Sequence, residues 1–411
     1  MHSSLSQESL LVMPKKSKNT NIMIIVHFIT STGVGGAQIM LKRYLAALGP
    51  EAKNHSVVSL TGIGSIGRDI QNMGVHVEPL GLKPGRVSLS AIAKMRKMLR
   101  QQPVSVVHAW MYHGCLASII GLAGRFGKKP GLVWGVHHSL QDIKKEKFSS
   151  QMIIRIMAAL SGSVGRITYC SDVSRNQHEA IGFNAKKSAL IPNAVDTSEF
   201  KPDPAARDRL IEVLGIPGDR LMVGNVSRSH PMKDHVSMMR ATAKMLDEGH
   251  NVQAVLIGEG HTGSAAAVEA QSLGIADRVS ILEMRHDIAK LVPGLDVFLL
   301  SSAWGEAFPL AVTEAMSAEV PCVVTDVGDC AKLVGDTGTV VPPSDANAQA
   351  SAVGALLSAG EEERARLGRA ARLRVQDNFS MNQYVQLHRD AYHSVQSGRP
   401  QAAHNIRSMS A

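Results

Sequence analysis

The stretch Ser301–Met316, with the sequence SSAWGEAFPLAVTEAM, places two carboxylates, Glu306 and Glu314, in one short segment. The apolar run Leu295–Leu300 directly before it predicts a buried strand, and the Ala-, Val- and Glu-rich residues after it predict a helix. Glu306 would then lie in a loop at the carboxyl end of a strand, where open α/β sheets bind ligands. Glu314 would lie on the helix that begins there.

The beginning of this predicted helix suits a phosphate, because its first N–H groups have no partner and its dipole is positive at that end. A phosphate site beside two carboxylates suits a nucleotide sugar, with one acid for the sugar hydroxyls and one for the ribose diol. Two glutamates at this spacing are, when taken by themselves, usually one loop acid and one solvated helix acid. Other motifs have to decide between these interpretations.

The chain of 411 residues is long enough for two domains. Strand-like apolar runs alternate with helical patterns in both halves, which predicts two doubly wound α/β domains with parallel sheets. A Pro- and charge-bearing segment, Phe200–Arg207, is interpreted as the linker. The predicted divisions are a flexible lead (1–20), a first domain (21–198), a second domain (199–378), a helix crossing back onto the first domain (379–396) and a flexible tail (397–411).

The charge is unevenly distributed along the chain. Residues 1–200 contain 24 Lys and Arg against 10 Asp and Glu, whereas residues 201–411 contain 20 against 25. A basic first half predicts an anionic partner, such as nucleic acid, lipid headgroups or a phosphorylated acceptor. Nucleic acid is disfavoured because no helix-turn-helix, zinc-finger or stacking motif stands out.

The four cysteines lie in or next to apolar or small-residue stretches and form no C-x-x-C pair, which predicts buried free thiols and a reducing compartment. Residues 1–20 lack an apolar core of signal-peptide length, and no apolar run reaches the length of a membrane span. We therefore expect a cytoplasmic protein, either soluble or peripheral on the inner face of the membrane.

Three further motifs follow predicted strands. A glycine-rich turn, Ser31–Gln38, contains Gly35 and Gly36 and leads into the first helix, as in loops where a backbone approaches a ligand closely. His137 stands at the end of another strand. Arg228 and Lys233 follow the first strand of the second domain, and two cations there can hold a diphosphate and offset charge on a departing phosphate.

These motifs occur in the order found in the retaining glycosyltransferases of family 4, which the chain resembles over residues 20–395. Glu306 and Glu314 match the family's E-x7-E motif, and Arg228 and Lys233 match the spacing of G-R-x-x-x-x-K, although other residues separate Gly224 from Arg228. Two departures are Gln38, where the family's G-G-A-E loop has Glu, and Ala194, where P-N-G-V-D has Gly.

The resemblance implies the GT-B fold, with two Rossmann-like domains and an interdomain cleft, and a metal-independent, cofactor-free transfer of a sugar from a nucleotide diphosphate, with UDP expected, to a glycan or lipid-linked acceptor. It implies catalytic roles for His137, Arg228, Lys233 and Glu306. The implied donor-binding residues are Gly35, Gly36, Arg228, Lys233, Met284, Arg285, Glu306, Phe308, Pro309, Leu310 and Glu314.

Alternatives remain open. A GT-B epimerase would bind the same donor without an acceptor, and a phosphorylase would need a pyridoxal-phosphate lysine site, which is not found. A non-catalytic sensor would bind the donor without turnover. We expect His108, Trp110 and His113 to be acceptor-side or structural residues. A metal site is disfavoured because no acid or Cys shares a ligand-like spacing with the histidines of this region.

Two basic segments predict contact with an anionic membrane surface. Lys94, Arg96, Lys97 and Arg100 share one predicted helix. Lys144, Lys145 and Lys147 precede Phe148 and the apolar run Met152–Met157. A basic amphipathic helix can lie on anionic lipid, although a solvated helix face explains either segment taken alone.

Overall fold

The computed structural model describes residues 22–83, 88–101, 103–125, 127 and 129–397. The described chain forms two compact units. The first contains the residues up to Val136, Met152–Thr168 and the last helix from Arg389 onward; the second contains His137–Gln151 and Tyr169–His388. This division differs from the sequence-based boundary at residue 198, because several residues between 137 and 198 contact the second half of the chain. The predicted lead lies outside the described residues, as does nearly all of the predicted tail.

The described residues contain thirteen strands, listed here in chain order. They are β1 Ile25–Ile29, β2 His55–Ser59, β3 His76–Pro79, β4 Val106–Trp110, β5 Gly131–Val136, β6 Arg166–Tyr169, β7 Ser188–Leu190, β8 Leu221–Val226, β9 Val252–Ile257, β10 Val279–Leu282, β11 Val297–Leu300, β12 Cys322–Thr325 and β13 Gly338–Val341.

The strands form two sheets. The first has the order β3-β2-β1-β4-β5-β6-β7 and the second has the order β10-β9-β8-β11-β12-β13. All five strand pairs of the second sheet are parallel. In each sheet the strand order reverses beside the first strand of its half, which is the doubly wound arrangement. The predicted α/β fold class is confirmed.

Helices connect the strands, as parallel pairing requires. Those of the described residues are α1 Gly36–Ala47, α2 Ser65–Asn72, α3 Leu89–Gln101, α4 Met111–Leu122, α5 Phe148–Leu160, α6 Asp172–Ala180, α7 Ala206–Leu214, α8 His235–Asp247, α9 Ala265–Ser272, α10 Ile288–Leu291, α11 Leu310–Ser317, α12 Cys330–Val334, α13 Ala346–Ser358, α14 Gly360–Asn378 and α15 Met381–Ser397.

The second sheet is buried on both faces. Along β11, Phe298 and Leu300 belong to one apolar cluster, while Val297 and Leu299 belong to another on the opposite face. This alternation explains why β11 reads as a continuous apolar run rather than as alternating apolar and polar residues. The carboxyl ends of its central strands are thereby held by packing on both sides.

The linker interpretation of Phe200–Arg207 is partly wrong. Helix α7 begins at Ala206, and Ala206 and Leu210 are fully buried four residues apart on one helix face. A helix of nine residues is too short to be stable by itself, so α7 depends on packing of this narrow apolar stripe against the rest of the protein. Its local sequence therefore did not predict it. Phe200 is also buried.

The four cysteines are buried free thiols, as predicted. Burial raises the pKa of the Cys170 thiol to about 12, with a smaller contribution from Asp329. These thiols are therefore protonated apolar side chains at neutral pH. Within the described part of the chain, no helix is both long enough and apolar enough to cross a bilayer.

Candidate functional site

The carboxyl ends of β8 and β11 mark the reversal of strand order in the second sheet. The two strands pair in parallel, with Val297 beside Val223 and Phe298 beside Gly224. Because both strands run in the same direction, the loops that follow them leave the same edge of the sheet side by side. Such a switch point is where doubly wound sheets bind ligands.

Lys233 follows β8, Glu306 follows β11, and their side chains meet at this edge. Lys233 Nζ lies 2.5 Å from Glu306 Oε1, and the Ser302 hydroxyl donates to the same oxygen at 2.7 Å. The side chains of Lys233 and Glu306 are only 16% and 8% exposed, so the ion pair is largely withdrawn from water. Both contacts fall on Oε1, which leaves Oε2 to accept a hydrogen bond from a ligand.

The backbones of the two loops are also joined. The Ser301 hydroxyl donates to the Lys233 carbonyl at 2.7 Å, and the Ala303 N–H donates to the Met232 carbonyl at 2.8 Å. The ion pair is therefore held at both its backbone and its side-chain ends, which fixes a cation beside a carboxylate.

Asp234 ends the first of these loops and caps α8. It has a left-handed backbone with φ of 46°, which Asp tolerates better than most residues. Its carboxylate accepts from the Ser237 N–H at 3.3 Å and from the Ser237 hydroxyl at 2.8 Å. The cap turns the chain sharply after Lys233, so that the ammonium remains at the sheet edge.

Two glycines shape the second loop. Gly305, immediately before Glu306, has φ of 79°. Gly328 has φ of 58°, and a Cβ atom there would collide with the carbonyl oxygen of Glu306. Glycine is required at both positions because a side chain would strain the backbone, and at Gly328 it would also displace the Glu306 loop.

A buried polar layer that the sequence analysis missed lies beneath the loop of Arg228 and Lys233. Asn225 donates from Nδ2 to the Leu299 carbonyl at 2.7 Å, which joins β8 to β11. Its Oδ1 accepts from the Ser227 hydroxyl at 2.7 Å and lies 3.2 Å from His235 Nε2. Burial is the main cause that lowers the pKa of His235 to about 3, so this imidazole is neutral.

His137, another predicted catalytic residue, belongs to the same compact unit. Its Nδ1 lies 3.1 Å from Asn193 Oδ1, and Asn193 Nδ2 donates to the Phe308 carbonyl at 3.3 Å. Burial lowers the pKa of His137 to about 4, and the hydrogen bond with Asn193 opposes this shift. The imidazole is therefore neutral and is tied to the residue that precedes Pro309.

Helix α6 holds the loop that carries His137. Gln177 Oε1 accepts from the Leu140 N–H at 2.7 Å and from the Ser139 hydroxyl at 3.0 Å. At the helix start, Asp329 accepts from the N–H groups of Asp172 and Val173, at 2.8 and 2.9 Å. A carboxylate at this position suits the helix dipole. Lys332, on helix α12, forms an ion pair with Asp172.

Helix α11 begins at Leu310, directly after Pro309. In the described part of the chain no side-chain hydrogen bond caps this end, and the first N–H groups, which have no partner within the helix, suit an anion. Phe308 is buried against Phe379, with ring centroids 5.1 Å apart, which fixes the backbone before the helix. Glu314 is half-buried on the second turn.

The remaining predicted donor residues of this unit lie nearer to solvent. Arg228 is exposed beside the Lys233 loop. Met284 is 52% exposed just after β10. Arg285 donates to both oxygens of Asp287, at 2.8 and 2.7 Å. Met284 and Arg285 follow β10 and Arg228 follows β8. Both strands belong to the same parallel sheet, so all three residues lie at its carboxyl edge.

Gly35 and Gly36 belong to the other unit, where Gly35 directly precedes α1 and Gly36 is its first residue. In that unit His108 and Trp110 are fully buried, and His108 Nδ1 lies 2.8 Å from the Tyr392 hydroxyl. The structure thus supports the structural interpretation of this pair over the acceptor-side one. Among the described residues, no three His, Cys, Asp or Glu side chains are arranged to hold a metal ion.

The fold and this site define a GT-B protein. The family model for Glycosyltransferase Family 4 matches residues 34–199, and the model for Glycosyl transferases group 1 matches residues 206–374. The chain belongs to glycosyltransferase family 4, as its motifs predicted.

Several of the curated relatives have glycosyltransferase, galactosyltransferase or mannosyltransferase names. The chain is 25% identical over 249 residues to the UDP-Gal:alpha-D-GlcNAc-diphosphoundecaprenol alpha-1,3-galactosyltransferase of Escherichia coli, a match covering 58% of this chain and 62% of the relative. It is 24% identical over 312 residues to the N-acetyl-alpha-D-glucosaminyl L-malate synthase of Bacillus anthracis, covering 75% and 79%. The chain spans about three fifths of the length of several relatives that it matches.

The crystal structure of Anabaena HepE in complex with UDP and glucose superposes with a TM-score of 0.79 at 22% identity. The match covers 90% of this chain and 100% of that chain. At this identity the likeness shows the shared fold.

Proposed function

We propose that this protein is a retaining glycosyltransferase that moves a sugar from a nucleotide diphosphate, with UDP as the nucleotide, to a glycan or lipid-linked acceptor in cell-surface glycan synthesis. The observation that carries the proposal is the Lys233–Glu306 ion pair beside the uncapped start of α11, at the switch point of the second sheet. Phosphate-binding and hydroxyl-binding groups meet there.

The diphosphate is bound by Arg228, Lys233 and the first N–H groups of α11. An ammonium has three donors, so Lys233 can hold Glu306 and a phosphate oxygen together. Two cations and a helix start offset the charge of the departing diphosphate without a metal ion. Exposed Arg228 is free to close on the ligand from outside.

The sugar lies against Glu306 and His137, and the nucleoside lies towards Glu314 and β10. Glu306 Oε2 accepts from a sugar hydroxyl, and Glu314 accepts from the ribose diol. The Phe308–Leu310 backbone faces the sugar and phosphate. Met284 and Arg285 lie at the base end, and Gly35 and Gly36, which belong to the other unit, are proposed as further donor-binding residues.

In the transfer step, the bond between the anomeric carbon and the diphosphate oxygen breaks, and its electron pair stays on the diphosphate. The acceptor oxygen forms the new bond on the same face of the sugar, and its proton passes to the departing phosphate. Arg228 and Lys233 stabilise the negative charge that develops on the diphosphate. Such electrostatic stabilisation is expected to be the largest contribution of the protein to the rate.

We propose that the protein meets its acceptor at an anionic membrane surface. On α5, the side chains of Phe148, Met152 and Ile156 are 76%, 44% and 41% exposed. Their spacing of four residues places them on one helix face. Exposed Lys144, Lys145 and Lys147 precede the helix, so an apolar stripe adjoins positive charge.

The second basic helix, α3, contributes less to this proposal. Arg96 donates to the Ile120 carbonyl at 3.3 Å, Arg100 donates to the Gly124 carbonyl at 3.4 Å, and Lys94 pairs with Glu78. These cations are engaged within the protein. We therefore assign membrane contact to α5 and the lysines before it.

A thermal-shift screen against UDP-, GDP-, ADP- and dTDP-sugars tests the function, with Arg228→Ala as the donor-site variant. Binding to the folded state raises the unfolding temperature, so stabilisation by one donor that is lost in the variant identifies the nucleotide. A transferase should release nucleoside diphosphate slowly from the donor sugar, and an extract that contains the acceptor should accelerate this release. Binding without release at any protein concentration would instead indicate a sensor, and an isomerised free donor would indicate an epimerase.

A further inference from the structure

The Asn193 side chain connects two parts of the proposed site that are far apart in sequence. Its Nδ2 donates to the Phe308 carbonyl at 3.3 Å, 115 residues away, and its Oδ1 lies 3.1 Å from His137 Nδ1. Asn193 is only 5% exposed, so both ends of its amide face protein rather than water.

The contact with Phe308 determines the orientation of the amide. A carbonyl oxygen can only accept, so the Asn193 atom facing it has to be the NH2 group. The amide oxygen then faces His137. Since an amide oxygen can only accept, His137 Nδ1 has to donate, and the proton of the neutral ring resides there.

The opposite ring nitrogen of His137 follows from this assignment. With the proton on Nδ1, Nε2 has a lone pair and acts as an acceptor. A hydroxyl of a sugar can donate to such an atom. In the other tautomer Nε2 would be a donor, and a hydroxyl would have to turn its own oxygen towards the ring.

We infer that Asn193 is a positioning residue that holds His137 in the Nδ1-protonated tautomer, so that Nε2 accepts from a hydroxyl of the sugar bound before α11. The inference rests on the proposed function for the identity of that hydroxyl. The tautomer assignment itself rests on the two hydrogen bonds of Asn193. Through Phe308, the same amide also ties the position of the imidazole to the first turn of α11.

Nitrogen NMR of protein labelled with 15N at the histidine rings tests the assignment in the free enzyme, with His137→Gln identifying the signals. We expect a protonated Nδ1 and an unprotonated Nε2 for His137 at pH 7.5. In Asn193→Leu, which loses both hydrogen bonds at similar side-chain size, this pattern should be lost. His178 serves as an internal control, because its Nδ1 lies 2.7 Å from the Ser174 carbonyl and its pattern should not change.

The variant Asn193→Asp keeps an acceptor for Nδ1 and adds a negative charge. A neighbouring carboxylate favours the imidazolium, so the protonation midpoint of His137 should rise by roughly one to three pH units. The acidic limb of kcat/KM should shift in the same direction. An equal loss of activity at every pH, without that shift, would mean that Asn193 has only a structural role.

An Nε2-protonated His137 in the wild type, or an unchanged pattern in folded Asn193→Leu, would overturn the inference. Circular dichroism establishes folding, and Asn193→Asp gives a second reading if the leucine variant is unstable. The NMR result needs no substrate, so failure of every donor in the thermal-shift screen would refute the proposed function without affecting the tautomer assignment. Addition of the identified donor should then perturb Nε2 of His137 in the wild type.

Discussion

Lys233 Nζ lies 2.5 Å from Glu306 Oε1, although the two residues are 73 positions apart in the chain. The pair exists because β8 and β11 are neighbours at the reversal of strand order, and the loop that follows each strand contributes one partner. A cation and a carboxylate held together in this way can bind the two chemically different parts of a sugar diphosphate.

Breaking this ion pair should destabilise the protein. Lys233→Met leaves Glu306 largely buried with Ser302 as its remaining partner among the described residues, and the expected loss is about 3–5 kcal/mol, as for other buried pairs. The combined variant with Glu306→Gln should be less destabilised than the sum of the two single variants, because no uncompensated charge remains. Thermal unfolding of the four proteins measures this coupling. Strictly additive shifts would mean that the pair does not form in solution.

Gly328→Ala should lower stability and weaken donor binding together. The substitution forces an L-residue into a backbone with φ of 58° and drives a methyl group towards the Glu306 carbonyl. Such strain is expected to destabilise by about 1–3 kcal/mol. Gly218→Ala is the matched control, since its added Cβ would lie 3.7 Å from Ile211 in ordinary contact. Equal unfolding temperatures for the two variants would contradict the prediction.

Acid should destabilise the fold between pH 6.5 and about 4. Burial lowers the pKa of His137 and His178 to about 4 and of His55 and His235 to about 3, whereas an unfolded chain has histidine pKa values near 6.5. In this interval the unfolded state binds more protons, so stability is complete above pH 6.5 and falls as the pH decreases.

Each of these histidines contributes a slope of up to about 1.4 kcal/mol per pH unit. His178→Gln should reduce the slope of unfolding temperature against pH, because one titrating group is removed while a side-chain donor towards Ser174 is retained. The measurement is a series of thermal melts from pH 7.5 to 5. A variant with the wild-type slope would show that His178 titrates normally in the folded protein.

The double variant Lys144→Glu, Lys145→Glu should weaken pelleting with anionic liposomes by at least about tenfold, since each lysine near an anionic surface contributes about 1 kcal/mol. Phe148→Ser should weaken it further by removing apolar contact. Lys186→Glu, Lys187→Glu is the matched control, because those lysines end the 3-10 helix Ala185–Lys187 just as Lys144 and Lys145 end the 3-10 helix Ile143–Lys145. Unchanged pelleting of the Lys144→Glu, Lys145→Glu variant would refute the membrane proposal.

Local pattern was sufficient for the main elements of the second sheet. The predicted buried strand Leu295–Leu300 is observed as β11, Val297–Leu300, because buried parallel strands are continuous apolar runs between turn residues. Helix α7 and strand β13 were missed. Both are short, and their stability depends on packing partners that a local window does not contain.

The predicted site residues divide in a similar way. Glu306, Lys233, Arg228 and His137 were recognisable because each follows a strand and matches a family motif. Asn225, Asn193 and Gly328 support them and were not assigned roles, although Asn193 was read as part of a motif. Their importance lies in contacts with Leu299, Phe308 and the Glu306 backbone, which are distant in sequence.

The sequence by itself determined the α/β class, the family and the residue types of the site, because periodicity, turn residues and motif spacing are local properties of the chain. Only the tertiary structure decided that Lys233 pairs with Glu306, that Asn193 links His137 to Phe308, and that α5 exposes an apolar stripe. Those relationships arise from strand order and packing. Strand order makes neighbours of segments that are far apart in the chain, and their separation in sequence does not predict their distance in space.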